Sequence, residues 1–504
     1  MMTAQDIYRK NYQRVSLFVL IISVFIVIVY LIVNLKWWLV FGSPGYDSHI
    51  HVGYLKLINS YLNKTPLSET AFPYLLKNDP HLGINFLFTY GVQKIFNLGE
   101  KESLLILGSI TIFLLFNVLF RLINLFTNNP QRSLIAVILI FVSPNLSGFQ
   151  VFGSSISVGD LMVTGSYPYL FGSLLVYSNL YILWKYLHTF KVKYLLPLSI
   201  IFFFNITSHF LTAVMFLILA SLMSVSSILE SKNRKLSLFQ VAIIFSVLTL
   251  VLTICLKWPI FNWLVFFLRS NPIQTSSPPT QWSSVTNYIN ILSFSLIGYV
   301  VIFRNKITSF VSLWIYFFTI ISLSFLYPIR IPMFWRFTFL LNVPLSIYLS
   351  ELFYKNQKTN KILIILIFTG ILINSLEVVN LIKSRYNIYT SGLISFIQKN
   401  RINKTVAADQ YVSYILQSQT DVSVYTLPQN HLFLDTGIIA KKRSDYFINI
   451  EESGQNNLWD EFLINEKVDC IVVKKEKSQF IQSNTINTIY VDDYYSLLCL
   501  KDGY

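Results

Sequence analysis

Long apolar segments recur along most of the first 380 residues, and they constrain the fold more than any other feature of this chain. The first of them, residues 16–35, contains no charged side chain. A helix of about 20 apolar residues is long enough to cross the hydrocarbon core of a bilayer. No small-residue cleavage site follows this first segment, so we expect a retained membrane helix rather than a signal peptide.

The composition is typical of an integral membrane protein. Only 12% of the 504 residues are charged and 54% are hydrophobic, whereas a soluble domain carries about 25% charged residues. Together with about 11 segments of spanning length, this predicts a polytopic α-helical membrane protein in contact with membrane lipid. The net charge of +15 does not indicate a nucleic-acid partner, because lysines and arginines cluster in short loops, where they set topology.

The positions of the basic residues predict the orientation of the chain. Arg9, Lys10 and Arg14 precede the first apolar segment, which puts the amino terminus in the cytoplasm. The long segment 41–102 contains an apolar piece, "GINFLFTYGVQKIFNL", that is short for a span. If it spanned, the later basic loops would change sides. We therefore predict that it lies in the interface and that 41–102 is a long first outer loop.

The last part of the chain, residues 385–504, changes character and is predicted to be a separate domain after a transmembrane domain of residues 1–384. It is more polar, and it mixes segments typical of strands ("KTVAAD", "DVSVYT") with a helical one ("QYVSYILQSQ") and a closing hairpin ("NTIYVDDYYSLLCLK"). About 120 residues can bury their own core. We expect an extracytoplasmic α/β domain, in which Cys470 and Cys499 can pair if the space is oxidising.

Polar and charged side chains collect at the predicted outer ends of the helices. They are Asp47, His49, His51, Asp79, His81, Asp160, His209, Arg330 and Arg336. Charges at this depth are costly and usually functional. A carboxylate can take a proton from a hydroxyl, and the planar fork of arginine matches phosphate oxygens. Such a set suits a reaction that deprotonates a hydroxyl and expels a phosphate.

Four motifs follow one another in a particular order. "GYDSHIHVGYLKLI" puts an acid just after the first helix, and "SVGDLMVTGSYPYLFGS" puts another in the second outer loop. "ITSHFLTAV" holds a histidine at a turn, and "YPIRIPMFWRFTFLLNVPLSIYLSELF" is a late arginine-bearing segment. In this arrangement the chain resembles the GT-C superfamily of membrane glycosyltransferases, which use polyprenyl-phosphate sugars as donors. The resemblance implies a GT-C-like membrane domain with an exoplasmic α/β tail.

The resemblance also implies roles for the matching residues. Asp47 corresponds to the catalytic acid of the first loop, which deprotonates or orients the acceptor hydroxyl. Arg330 and Arg336 correspond to the late basic residues that hold the lipid phosphate. Asp160 corresponds to the acid of the second loop, which binds metal or positions substrate. His49 is assigned to the donor phosphate.

The remaining candidates are secondary substrate-binding residues. For several candidates a purely structural role stays open as the alternative. His51, His81 and His209 belong to this secondary group with Asp160. Asp47 can instead cap the following helix, and Arg336 can instead anchor the chain at the interface. His49 and His51 with Asp47 offer no fourth zinc ligand, so no metal site is predicted there. The lipid-linked sugar is the donor, and a divalent metal stays open as the less favoured alternative.

The predicted function is that of an inverting hexosyl or pentosyl transferase. It would move a sugar from polyprenyl phosphate to a hydroxyl of a glycan, lipid or protein acceptor at the outer face of the cell membrane, in assembly of a cell-surface glycan or glycolipid. The alternative is a membrane transporter or lipid flippase, although no internal repeat and few mid-helix charges are evident. A non-catalytic scaffold is a further alternative, in which Asp47, Arg330 and Arg336 would be dispensable.

Overall fold

The computed structural model describes residues 4–40, 51–52, 55–56, 84–142, 168–256, 309–323, 342–355, 361, 368, 390–426, 435–481 and 483–501. Within them the chain is mostly helical, with one small β-sheet. These residues fall into two compact units. The first unit holds those within Met1–Val33, Leu105–Trp258 and Asn271–Leu381, and the second holds those within Asn34–Leu104 and Ile382–Tyr504.

Ten helices are described in the first 355 residues, and several are typical of membrane spans. In chain order they are α1 (Ala4–Val40), α2 (Ile84–Phe96), α3 (Glu100–Thr127), α4 (Pro130–Val142), α5 (Pro168–Thr189), α6 (Leu195–Ser208), α7 (Phe210–Glu230), α8 (Arg234–Leu256), α9 (Phe310–Leu323) and α10 (Asn342–Lys355). Four of the described helices contain stretches long and apolar enough to cross a membrane: Gln5–Ile32, Glu100–Thr127, Thr212–Glu230 and Arg234–Leu256. The expectation of apolar membrane helices is confirmed to that extent. The number of spans stays a prediction, because the ranges 143–167, 257–308 and 324–341 lie outside the described residues.

The turn between α3 and α4 shows how local sequence ends one helix and starts the next. Asn128 adopts a positive φ of 48°, a conformation that asparagine tolerates better than most residues. The Asn129 side chain accepts hydrogen bonds from the backbone N–H groups of Gln131 and Arg132, and Pro130 opens α4, the position that suits proline. The Arg132 guanidinium then pairs with Glu351 of α10 at 3.1 Å, which links two helices of the first unit.

Helix α5 buries several polar side chains within the first unit. It packs against α6, α7 and α8, and its polar residues Ser173, Tyr177, Asn179 and Tyr186 are all buried. By contrast, apolar side chains of α8, such as Phe239 at 58% exposure, face outward. Polar residues in membrane helices normally face the bundle interior, because lipid offers them no hydrogen bonds. The pattern therefore agrees with a bundle surrounded by lipid.

The second unit contains a five-stranded sheet in the tail. Its elements are α11 (Ser391–Lys399), β1 (Thr405–Ala407), α12 (Gln410–Gln419), β2 (Ser423–Val424), α13 (Asp435–Ser453), α14 (Asn456–Asn465), β3 (Cys470–Lys474), α15 (Lys475–Ser478), β4 (Ile486–Val491) and β5 (Tyr495–Leu500). The strand order is β2-β1-β3-β5-β4. Strand β1 pairs in parallel with β2 and β3, whereas β5 pairs antiparallel with β3 and β4. The strands and the hairpin fall in the segments that the alternating patterns predict.

An aromatic core and a disulfide hold this sheet together. Phe447 of α13 and Trp459 and Phe462 of α14 pack edge-to-face in a cluster that also includes Leu498 of β5. Cys470 and Cys499 stand directly opposite each other on β3 and β5 and form the disulfide. The predicted domain boundary at residue 385 lies outside the described residues and stays a prediction.

Candidate functional site

The structure describes two of the eight residues predicted for the site, His51 and His209. They belong to different compact units, so each is considered within its own surroundings. The other six lie outside the described residues, and their roles remain predictions: Asp47, His49, His81, Asp160, Arg330 and Arg336.

His51 lies in a short helical segment that packs on α2. Its side chain is buried, and its ring stands 5.5 Å from the Phe86 ring at an angle of 60°. Val52 and Leu55, which follow it, are fully buried. The His51–Phe86 ring contact joins this segment to α2. His51 is therefore a buried residue of the second unit, and its predicted contact with substrate stays a prediction.

The face of α2 that turns inward is polar. Asn85, Thr89 and Gln93 are spaced four residues apart, which puts them on one side of a helix, and all three are buried. The Thr89 hydroxyl donates to the Asn85 carbonyl oxygen at 2.8 Å, and Gln93 Nε2 donates to Glu100 Oε1 at 3.2 Å. Asn85 Oδ1 and Gln93 Oε1 accept from no donor among the described residues. Sequence analysis missed this stripe, although its spacing of four residues is visible in "INFLFTYGVQ".

Two lysines of the second unit meet the carboxyl end of α12. Lys56 Nζ donates to the Thr420 carbonyl oxygen at 2.7 Å and lies 3.8 Å from Asp421 Oδ1. Lys101 Nζ donates to Gln419 Oε1. The carboxyl end of a helix carries partial negative charge and unpaired carbonyl groups, which cations stabilise. The lysines therefore tie the segment before α2 and the amino end of α3 to the tail.

The ionisation of Lys56 reflects its partly buried position. Desolvation lowers the pKa of the Lys56 ammonium below its usual value of 10.5, while the charges of Asp421 and Glu100 act in the opposite direction. Burial disfavours the charged form of an amine, whereas nearby carboxylates favour it. The geometry thus holds a cation beside two carboxylates at the junction of loop and tail.

His209 lies at the turn between α6 and α7, as its motif predicted, and it caps α7. Its backbone is extended, and its Nδ1 accepts from the Thr212 N–H at 3.4 Å. The Tyr169 ring meets the imidazole edge-on at 5.4 Å. The Cβ of an alanine in place of Gly172 would overlap Thr212 Oγ1. A capping role is thus described for His209, and a role in substrate binding remains a prediction.

Two fully buried asparagines lie in the first unit, and Asn205 contacts this turn. Asn205 Oδ1 accepts from the Thr212 hydroxyl at 2.7 Å, whereas Asn205 Nδ2 has no acceptor among the described residues. Asn179, midway along α5, has no partner for either amide atom within the described part of the chain. Neither asparagine was predicted as functional, although "FNITSHF" places Asn205 one helical turn before the histidine.

The described residues contain no group of three or more His, Cys, Asp or Glu side chains that could hold a metal ion. Carboxylate and imidazole groups such as Asp47 and His49 lie outside them, so the prediction of no metal site stays a prediction. No family model matches the chain, and no curated protein matches it either. The GT-C resemblance therefore rests on the order of the four sequence motifs.

Proposed function

We propose that this chain is a multi-pass membrane glycosyltransferase, with about 11 spans and a GT-C-like layout, that uses a polyprenyl-phosphate sugar. It acts at the outer face of the cell membrane and transfers the sugar to an acceptor hydroxyl in glycan or glycolipid assembly. The α/β tail is extracytoplasmic in this proposal, and the acceptor is a glycan, a lipid or a protein.

One observation carries the proposal. The carboxyl end of α1, the amino end of α3 and the tail belong to one compact unit, joined by Lys56 and Lys101 at the end of α12. The loop that follows α1 is the loop that carries Asp47. Because residues of this loop and the tail belong to the same compact unit, we infer that Asp47 and the tail lie on the same side of the membrane.

The disulfide supports the outer side for that unit. Cys470 and Cys499 are paired on neighbouring strands. Disulfides persist in oxidising spaces outside the cytoplasm and are rare within it. A disulfide in the tail therefore fits an extracytoplasmic tail, the orientation that the basic residues before α1 predict.

In the proposed reaction Asp47 accepts the proton of the acceptor hydroxyl. The acceptor oxygen attacks the anomeric carbon, the bond from that carbon to the phosphate oxygen breaks, and polyprenyl phosphate leaves. Arg330, Arg336 and His49 hold the phosphate, whose negative charge grows as it departs. Asp160, His51, His81 and His209 are the secondary substrate residues, and no metal enters the reaction.

The test is donor consumption by the purified chain in proteoliposomes. Radiolabelled hexosyl and pentosyl polyprenyl phosphates are supplied together with an extract of cell-envelope material as acceptor. Asp47→Asn is expected to lower transfer by about 10²- to 10⁴-fold, the usual contribution of a general base, while the protein still inserts. Asp493→Asn, whose side chain is 91% exposed, is the matched control. Full activity of Asp47→Asn, or no consumption by wild type, would refute the proposal.

Asn179 favours the alternative function, a transporter or lipid flippase. Its amide is fully buried in the middle of α5 without a described partner, and buried polar groups in membrane helices often mark a substrate path. Transport would require Asn179 and no chemistry at Asp47. Vesicle uptake of polyprenyl-phosphate hexose that survives Asp47→Asn but is lost in Asn179→Leu would favour transport.

A further inference from the structure

The inward face of α2 is a candidate binding site for a sugar. We propose that Asn85 Oδ1, Gln93 Oε1 and the Thr89 hydroxyl oxygen accept hydrogen bonds from sugar hydroxyls. This inference rests on the proposed function, because the sugar would belong to the lipid-linked donor or to the acceptor. It adds a site that the sequence motifs did not indicate.

The buried residues of α2 are Phe86 and three polar residues, whereas several of its apolar residues are exposed. Asn85, Thr89 and Gln93 are 2%, 0% and 7% exposed, whereas Phe88 and Ile95 are 41% and 77% exposed. A surface helix in water shows the opposite pattern, with apolar residues inward. An outward apolar face suits the lipid interface, and an inward polar face requires polar partners inside the unit.

The hydrogen bonds of this face are incompletely satisfied. The Thr89 hydroxyl donates a hydrogen bond to the backbone carbonyl oxygen of Asn85, and Gln93 Nε2 donates one to Glu100 Oε1. Asn85 Oδ1 and Gln93 Oε1 then remain as buried acceptors without a donor among the described residues. Buried polar atoms are almost always paired, and an exception calls for an explanation, of which a bound group that pairs the atoms is one. The missing group must donate.

The chemistry of the acceptors selects the class of ligand. A phosphate diester offers no donor, and a polyprenyl tail offers neither donor nor acceptor. A cation is disfavoured, because Lys56 and Lys101 both interact with Glu100, the partner of Gln93. Hydroxyl groups donate without charge. The stripe from Asn85 to Gln93 covers about 12 Å of helix, which is enough for more than one hydroxyl of a pyranose or furanose ring.

The neighbouring segment links this stripe to the predicted catalytic loop. His51 packs on Phe86, the residue next to Asn85. In the sequence Asp47 precedes His51 by only four residues. A sugar held on α2 would therefore be bound by a helix that contacts the same loop.

The test is sugar binding to the full chain in lipid nanodiscs. Saturation-transfer NMR would use the methyl glycosides of glucose, galactose, mannose and arabinose, which carry no phosphate or lipid. Wild type is expected to bind at least one of them. Asn85→Leu and Gln93→Met, which remove the acceptor oxygen at similar size, should each weaken binding by about three- to tenfold, the usual effect of losing one hydrogen bond.

Matched variants separate this role from a structural one. Asn85→Asp keeps the acceptor oxygens and should keep binding, and Lys94→Gln changes a residue on the exposed side of α2 and should have no effect. If one of the leucine and methionine variants fails to fold, the other still decides. Wild-type affinity in the variants that fold, or no binding of any glycoside by wild type, would overturn the proposal.

The transfer assay distinguishes failure of the site from failure of the proposed function. If sugar binding depends on Asn85 but wild type consumes no donor, the sugar site is supported and the transferase proposal is refuted. If donor consumption depends on Asp47 but Asn85→Leu leaves the KM for donor and acceptor unchanged, only the sugar-site proposal is refuted. A raised KM for the donor or for the acceptor would support the site and identify which substrate carries the bound sugar.

Discussion

Gly172 is tightly packed within the first unit. A Cβ there would overlap Thr212 Oγ1 and lie 3.1 Å from His209 Cβ. We expect Gly172→Ala to lower the thermal unfolding midpoint in detergent, at a cost of about 1–3 kcal/mol from overpacking. Gly91→Ala is the control, because its Cβ would meet nothing within 4 Å and alanine favours a helix by about 0.5–1 kcal/mol over glycine. Equal effects of the two changes would contradict the described packing.

Lys56 should make the stability of the second unit depend on pH. Burial lowers the pKa of its ammonium in the folded state below the usual 10.5. Between the lowered pKa and 10.5 the unfolded chain binds a proton that the folded chain does not, so stability rises with pH in that interval. Lys56→Met should reduce this rise in thermal unfolding curves recorded at pH values below 10.5. The exposed Lys399→Met should retain it, and parallel curves for all three proteins would contradict the burial of Lys56.

Residues that act alone were easier to predict than residues that act in pairs. His209 stands beside a turn in a recognisable motif, and the structure places it at that turn. The hydrogen bond from Lys56 to Thr420 joins residues 364 positions apart, and no local sequence pattern predicts such a contact. Asn85 was overlooked because averaged hydropathy describes how apolar α2 is and does not tell which face is buried.

At the scale of elements, apolar length and turn chemistry predict where helices lie. The histidine turn predicted from "ITSHFLTAV" marks a helix boundary that the structure reproduces before α7, and α4 begins at Pro130 after two asparagines. Helix α13 went unpredicted, because its few core residues, Phe447 and Ile450 among them, lie within a largely polar stretch. Strand β2 has two residues and exists through its pairing with β1, which is a tertiary effect.

The disulfide between β3 and β5 gives the element-scale prediction. It closes a loop with a sequence separation of 29, and the loop-entropy relation assigns such a crosslink about 3–4 kcal/mol. Replacing both cysteines by alanine should lower the unfolding midpoint of the second unit, and reductant should have the same effect on wild type. Reductant should leave the double variant unchanged. Ready alkylation of both thiols in unreduced, folded protein would contradict the pairing.

At the scale of the whole molecule, the described part is a helical, membrane-associated chain with two compact units. The sequence predicted the apolar helices and the α/β character of the tail from periodicity alone. It did not predict that the tail shares a unit with residues of the segment 41–102. That union depends on long-range polar contacts, and it supports the proposed outward-facing transfer site.

The most direct test of that function measures the lipid-linked sugar pool in cells that lack this chain. A transferase that consumes a polyprenyl-phosphate sugar leaves its donor behind when it is absent. Mass spectrometry of membrane lipids should show one such species accumulating, returning to the normal level with the wild-type chain and remaining high with Asp47→Asn. A pool that is the same with and without the chain, or that Asp47→Asn restores fully, would contradict the proposed transfer.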